Sequence, residues 1–159
     1  MKALNLGTAC ITAIALGLST LPLSASAFNP EHLRQLKETR NCSECNLVGA
    51  DLSQAQLVGA DLRNAKLDNA NLTKANLEGA DLTGASLVNA DLTKAYLTNV
   101  GLDNTDLTNA NFSGARLLYA HVRNAKIRNA NFLNARIVGT DFRGTNFSAV
   151  TITTESRPK

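Results

Sequence analysis

Residues 70–92 read ANLTKANLEGADLTGASLVNADL. Leucine stands at Leu72, Leu77, Leu82, Leu87 and Leu92, five residues apart, and an alanine lies two before each. The residue between them is Asn, Asp or Ser. A period of five fits neither the 3.6 of an amphipathic helix nor the 2 of a half-buried strand. Wound onto a helix, these leucines would step around every side and leave no apolar stripe. The chain must therefore turn inward once every five residues.

The frame extends far in both directions. A large apolar residue occupies every fifth position from Leu47 to Ile152, which is 22 positions without a shift. Phe112, Val122, Ile127, Phe132, Ile137, Phe142 and Phe147 replace leucine late in the run. The small column is almost all alanine up to Ala135, with Val100 and Thr105 as exceptions, and ends in Thr140, Thr145 and Val150. Internal repetition of this kind takes precedence over local propensity.

The bulk numbers agree with an unusual core. Of 159 residues, aromatics are 4% and tryptophan is absent, so the interior is built from small, uniform side chains. The length favours one domain. A net charge of +3 is too mild for a nucleic-acid binder, which carries a strong basic patch. The serines and threonines fall in no nucleophile motif, and His32 and His121 are far apart. No catalytic group, metal site or cofactor is expected.

The units ADLSQ, ADLRN, ANLTK, ANLEG and ADLTG resemble the A-(D/N)-L-x-x repeat of the pentapeptide-repeat family, over residues 46–152. The resemblance implies an all-β solenoid, a right-handed quadrilateral β-helix with one pentapeptide per side and four per coil. The leucine and the small residue before it would point into the shaft. Twenty-two repeats then make five and a half coils, a rod about 25 Å long at strand spacing. A larger residue in the alanine column would overpack the shaft by about 1–3 kcal/mol.

Residues 1–27 read as an export signal: Lys2, an apolar run, then small residues at Ala25 and Ala27. Removal would leave 132 residues beginning at Phe28 (159 minus 27), soluble and without a membrane span. An uncleaved anchor is the rival reading, because the apolar run is about long enough to span a bilayer. Residues 28–45 follow as a helical cap and a Cys-x-x-Cys junction. Asn29 is the expected N-cap, Pro30 opens the first turn, and Phe28 and Leu33 hold the positions of a hydrophobic staple. Residues 153–159 form a polar, flexible tail. The C-terminal end of the shaft lacks a comparable lid, so either Val150–Thr154 folds over it or two copies pair end to end, as some family members do.

Cys42 and Cys45 fall on the large and small inward registers of the first coil. An exported compartment permits a disulfide between them. The expected role is a structural staple; the alternative is thiol-disulfide chemistry, which normally sits at a helix N-terminus. A zinc site would need more ligands than His32 and His121 offer.

With four sides per coil, residues 20 apart share a column. Ser53, Thr73, Thr93 and Ser113 make a hydroxyl column broken by Leu133, and Asn69, Asn89, Asn109 and Asn129 an amide column. Both are expected to satisfy turns rather than bind a ligand. From Asp51 to Asp106 there are eight acids and four bases; from Arg116 to Arg143 there are six bases and one acid. Arg116 would stack on Arg136 and Arg123 on Arg143, which points to a counter-charge outside the fold or to a merely solvated face. Tyr96, Arg116, Leu118, Tyr119, Arg136 and Val138 gather on one side with an interface-like composition.

The expected function is a non-enzymatic scaffold or protein-interaction module. Export signal, helix, cysteine pair and repeats together resemble pentapeptide-repeat proteins of the thylakoid lumen of cyanobacteria or chloroplasts, or of the periplasm. A second class within that family mimics DNA and inhibits topoisomerases. That mechanism needs a strongly acidic rod in the cytoplasm, whereas this chain has a basic C-terminal third and no nucleic-acid partner is expected.

Overall fold

The computed structural model describes residues 28–152. The expected export signal and the expected tail lie outside the described residues. Pro30–Thr39 form helix α1, and Arg116–Leu118, Asn131–Phe132, Arg136–Val138 and Thr151–Ile152 form strands β1 to β4. β1 pairs with β3 and β2 with β4, both parallel and in a register of 20 residues. The same register continues down the chain as isolated parallel bridges, from Asn41↔Asp61 to His121↔Asp141. Four pentapeptides therefore make one coil, and the rod is a right-handed quadrilateral β-helix.

Each side of a coil repeats one local device. The residue after the small position pairs with the coils above and below, and the leucine turns in. The chain then turns the corner through a four-residue turn whose closing bond runs from the next alanine N–H to the leucine carbonyl, as from Ala80 to Leu77 at 3.0 Å. The third residue of that turn lies in the left-handed region, which explains the asparagines and glycines two places after each leucine. The Asp or Asn before the leucine accepts from the N–H two residues on, as Asp81 does from Thr83 at 2.9 Å. Its side chain thereby satisfies a donor that the turn leaves open.

The shaft is filled by the leucine and alanine columns, nearly all of them buried. Phe112 and Phe132 stack with ring centroids 4.8 Å apart, one coil above the other. Val100 is fully buried without displacing the ladder, and Thr105 is buried with its hydroxyl donating to the Leu102 carbonyl at 2.7 Å.

Helix α1 covers the N-terminal end. Asn29 caps it by accepting from the Glu31 N–H at 2.9 Å, and Arg40 ends it in the left-handed region. Leu36 is fully buried, and Phe28 and Leu33 pack partly buried against the core. The helix is tied to the first coil at Asn46, whose carbonyl accepts from the Asn29 N–H and whose N–H donates to His32 Nδ1 at 2.8 Å. Regular pairing reaches back to Asn41, so the cysteine junction is itself the first side of the first coil.

The C-terminal end has no lid among the described residues. Thr151 and Ile152 continue the parallel pairing instead of crossing the end. Ile137, Val150 and Ile152 are only partly buried, and Phe147 is 36% exposed.

Candidate functional site

The six residues expected to form a patch do come together. Tyr96 pairs with Arg116 and Arg116 with Arg136 through the backbone ladder, while Leu118 lies beside Val138. The Arg116 guanidinium sits over the Tyr96 ring, 5.6 Å from its centroid, a cation–π geometry. The Tyr119 ring lies against Gly139, where an added Cβ would fall 2.5 Å from a ring carbon. Tyr119 itself is in the left-handed region at φ 56°, a conformation that favours small or amide residues. Tyr96, Tyr119 and Val138 are 45%, 59% and 49% exposed.

One member of this side escaped the sequence reading. Val58 belongs to the same column as Leu118 and Val138, and it is exposed. Of the six exposed large hydrophobics among the described residues, four (Val58, Tyr96, Tyr119, Val138) stand on this single side of the four. Counting every fifth residue and stacking by 20 would have found it.

The charge expectation needs a correction. Arg123 does not face an unbalanced Arg143. Its guanidinium bonds to Asp103, with Nε 3.0 Å from Oδ2, and lies 4.0 Å from Asp141. Arg143 bonds to Asp141 at 2.6 Å. The counter-charge is therefore within the fold, supplied by acids from the coil below and from the same coil. Arg143 holds the Asp141 carboxyl down at about 2. Burial works to raise Asp103, but the Arg123 hydrogen bond wins and keeps it below the usual carboxylate range. Arg116 and Arg136 differ: among the described residues neither has a carboxylate partner within salt-bridge distance. They stand at strand spacing, about 4.8 Å apart at the backbone, and repel.

The polar columns are internally satisfied. Asn89 donates to Asn69 at 3.2 Å, Asn109 to Asn89 at 2.9 Å and Asn129 to Asn109 at 3.1 Å. Asn131 bridges to the Ser113 hydroxyl at 2.9 Å, as Asn111 does to Thr93. These groups bond to the turns and to each other.

Cys42 and Cys45 lie on inward registers beneath α1, 0% and 3% exposed, with sulfurs 2.12 Å apart. Cys42 Sγ lies 3.2 Å from the His32 carbonyl oxygen. The pair follows the C-terminal end of the helix, away from the positive N-terminus that would stabilise a thiolate. Among the described residues no group of three His, Cys, Asp or Glu is placed to hold a metal ion, and no helix is long and apolar enough to cross a membrane.

A rod of stacked coils, each in contact only with its neighbours, is a repeat scaffold. Pentapeptide repeats match residues 45–84, 75–114, 105–144 and 115–153. The chain belongs to the pentapeptide-repeat family. It is similar to a pentapeptide repeat protein, Rfr23, from the cyanobacterium Cyanothece 51142: 27% identity over 77% of this chain and 98% of that one, with a TM-score of 0.74. A pentapeptide repeat protein from the Arabidopsis thaliana thylakoid lumen is 31% identical over 64% of each chain, with a TM-score of 0.48. No curated protein matches the chain.

Proposed function

We propose that this chain is a non-enzymatic interaction module of an exported compartment, the thylakoid lumen or the periplasm, which docks a protein partner through the side carrying Tyr96, Arg116, Leu118, Tyr119, Arg136 and Val138. The observation that carries this reading is the concentration of exposed apolar groups and unpaired arginines on one side in four. A rod with scattered hydrophobics would need no partner; one that gathers them beside repelling arginines gains by covering them. The partner surface that fits is apolar with acidic neighbours, since it would relieve the Arg116–Arg136 repulsion. The cysteine pair serves as a staple between cap and first coil, a role consistent with export. The open C-terminal end, with Phe147 at its edge, supports end-to-end pairing of two copies as a second contact.

The test is affinity capture with the mature chain from its native compartment, with the double variant Arg116→Glu/Arg136→Glu as control. A captured protein should be lost from the variant while the melting temperature is held. Equal capture by both forms overturns the docking side. Mass measurement in solution separates the end contact: a monomer at tens of micromolar removes it.

A further inference from the structure

The side that carries the Tyr96–Val138 patch has a centre. One outward column runs Gln56, Asn76, Tyr96, Arg116, Arg136 through the paired backbone, and the column beside it runs Val58, Glu78, Thr98, Leu118, Val138. The middle coil carries Tyr96 and Thr98. Val58 and Val138, both exposed, lie 40 residues before and after Thr98, two coils either way. Glu78 and Leu118 lie one coil either way from Thr98, as Asn76 and Arg116 do from Tyr96.

The charges are split about the same centre. Glu78 is the single acid of these two columns and stands on the N-terminal half; Arg116 and Arg136, the two bases, stand on the C-terminal half. Glu78 is exposed, and among the described residues no ion pair joins it to a cation. In its own chain it stands two coils from Arg116, about 9.6 Å at strand spacing. A side with an acid at one end and two bases at the other repels a copy laid parallel to it and attracts one laid antiparallel.

A contact between identical surfaces is reciprocal: where one residue touches another, the second touches the first across the axis. A two-fold axis that crosses the rod at the level of Tyr96 reverses the order of the coils and keeps each column opposite itself. Val58 then meets Val138 of the second copy, and Tyr96 meets its own equivalent. Glu78 falls opposite Leu118 of the second copy, beside Arg116, whose long side chain reaches across to it. Tyr119 of the second copy falls opposite Gly79, where an added Cβ would have nothing within 4 Å, so the ring enters open space. A two-fold axis along the rod instead sets each coil against its own equivalent. That arrangement leaves Glu78 two coils from Arg116 of either copy and adds arginine to arginine.

We propose that this side pairs with the same side of a second copy of the chain, antiparallel, about a two-fold axis at Tyr96 and Thr98. The inference rests on the reading of this side as a docking surface and commits that surface to one partner. It is distinct from the end-to-end contact, which leaves the side uncovered. The pairing covers Val58, Tyr96, Tyr119 and Val138 and gives Arg116 a carboxylate. One side of a rod about 25 Å long is smaller than a standard interface, so the association is weak and depends on concentration.

The test is cross-linking of single-cysteine variants of the mature chain with a bismaleimide that spans the ~10 Å between packed faces. Cys42 and Cys45 are buried, so the added thiol is the one that reacts. Thr98→Cys stands on the axis and cross-links to itself. Val58→Cys and Val138→Cys each stay uncoupled alone, because their equivalents lie about 19 Å apart along the rod, and an equimolar mixture of the two cross-links. Glu78→Arg lowers the cross-linked yield of Thr98→Cys about tenfold at equal concentration, and adding Arg116→Glu, which swaps the pair, restores it. A Thr98→Cys chain that stays uncoupled overturns the pairing. So does Val58→Cys that couples to itself while the mixture does not, the mark of parallel copies. An end-to-end pair also fails this test, since it holds the two Thr98 positions more than about 20 Å apart. Affinity capture with Arg116→Glu/Arg136→Glu separates the two readings. No cross-link with capture lost in that variant overturns self-pairing and leaves the docking side to a different protein; no cross-link with equal capture removes both.

Discussion

Replacing Leu77 by alanine tests the solenoid at its centre. Leu77 is fully buried and lies between Leu57 and Leu97, one coil below and one above. Three carbons leave the shaft, worth about 2.4 kcal/mol at about 0.8 each. The walls cannot collapse inward, because every side is held by bonds to both neighbouring coils, such as Leu77 N–H to the Tyr96 carbonyl at 2.9 Å. A residual void of roughly 80 Å³ then adds about 2 kcal/mol at ~24 cal/mol per Å³. The expected total is about 4 kcal/mol, and for a domain of this size that lowers Tm by roughly 15 °C. Thermal unfolding followed by circular dichroism measures it. Phe147→Ala is the internal reference: the side chain is partly exposed at the open end, so its loss shifts Tm by only a few degrees. A Leu77→Ala shift under about 4 °C, or one equal to that of Phe147→Ala, would refute a rigid shaft closed by inter-coil pairing.

Other perturbations probe the cap, the patch and the charges. Cys42→Ala/Cys45→Ala should melt lower than the parent by about 2 kcal/mol in oxidising buffer, the loop-closure value for so short a span; the parent in reducing buffer should approach the variant, and no difference in either buffer would exclude a staple. Gly139→Ala combines a φ of +66° with a Cβ that meets the Tyr119 ring, so it should destabilise by about 1 kcal/mol and swing Tyr119 away, seen as a changed tyrosine fluorescence spectrum. Acid should destabilise the C-terminal coils: Asp141 and Asp103 have folded values below their unfolded ones, so their stabilisation is complete above roughly pH 4 and drains away as pH falls towards 2. A Tm that rose over that interval, or that fell identically in Asp141→Asn, would contradict the sign.

The sequence announces which side chains point inward, because a five-residue frame allows only one reading, and the stacking of residues 20 apart follows once four sides are assumed. The cap was legible for the same reason: Asn29, Pro30, Phe28 and Leu33 each satisfy a local rule that tertiary packing does not override. Charge partners were only partly legible from the columns. Asp103 is the column neighbour of Arg123, 20 residues back, so stacking by 20 places it there, whereas Asp141 lies one coil above and two positions away in the repeat, a diagonal that a column hides. The loosened side near the C-terminal end, where Ile127 and Asn129 lack the inter-coil bonds that Leu107 and Asn109 donate, was least legible of all. Phe147 and Ile152 keep the frame without a shift, yet the side that contains Phe147 does not close. Periodicity dictates direction, whereas closure depends on summed volume in the shaft. Phe132, Phe142, Phe147 and Val150 crowd its end together, and excess volume shows only as the missing bonds at Ile127 and Asn129. A large residue in the small column is tolerated where its vertical neighbours are small, as Val100 is between Ala80 and Ala120, and the large column takes even a stacked pair such as Phe112 and Phe132 without opening the wall.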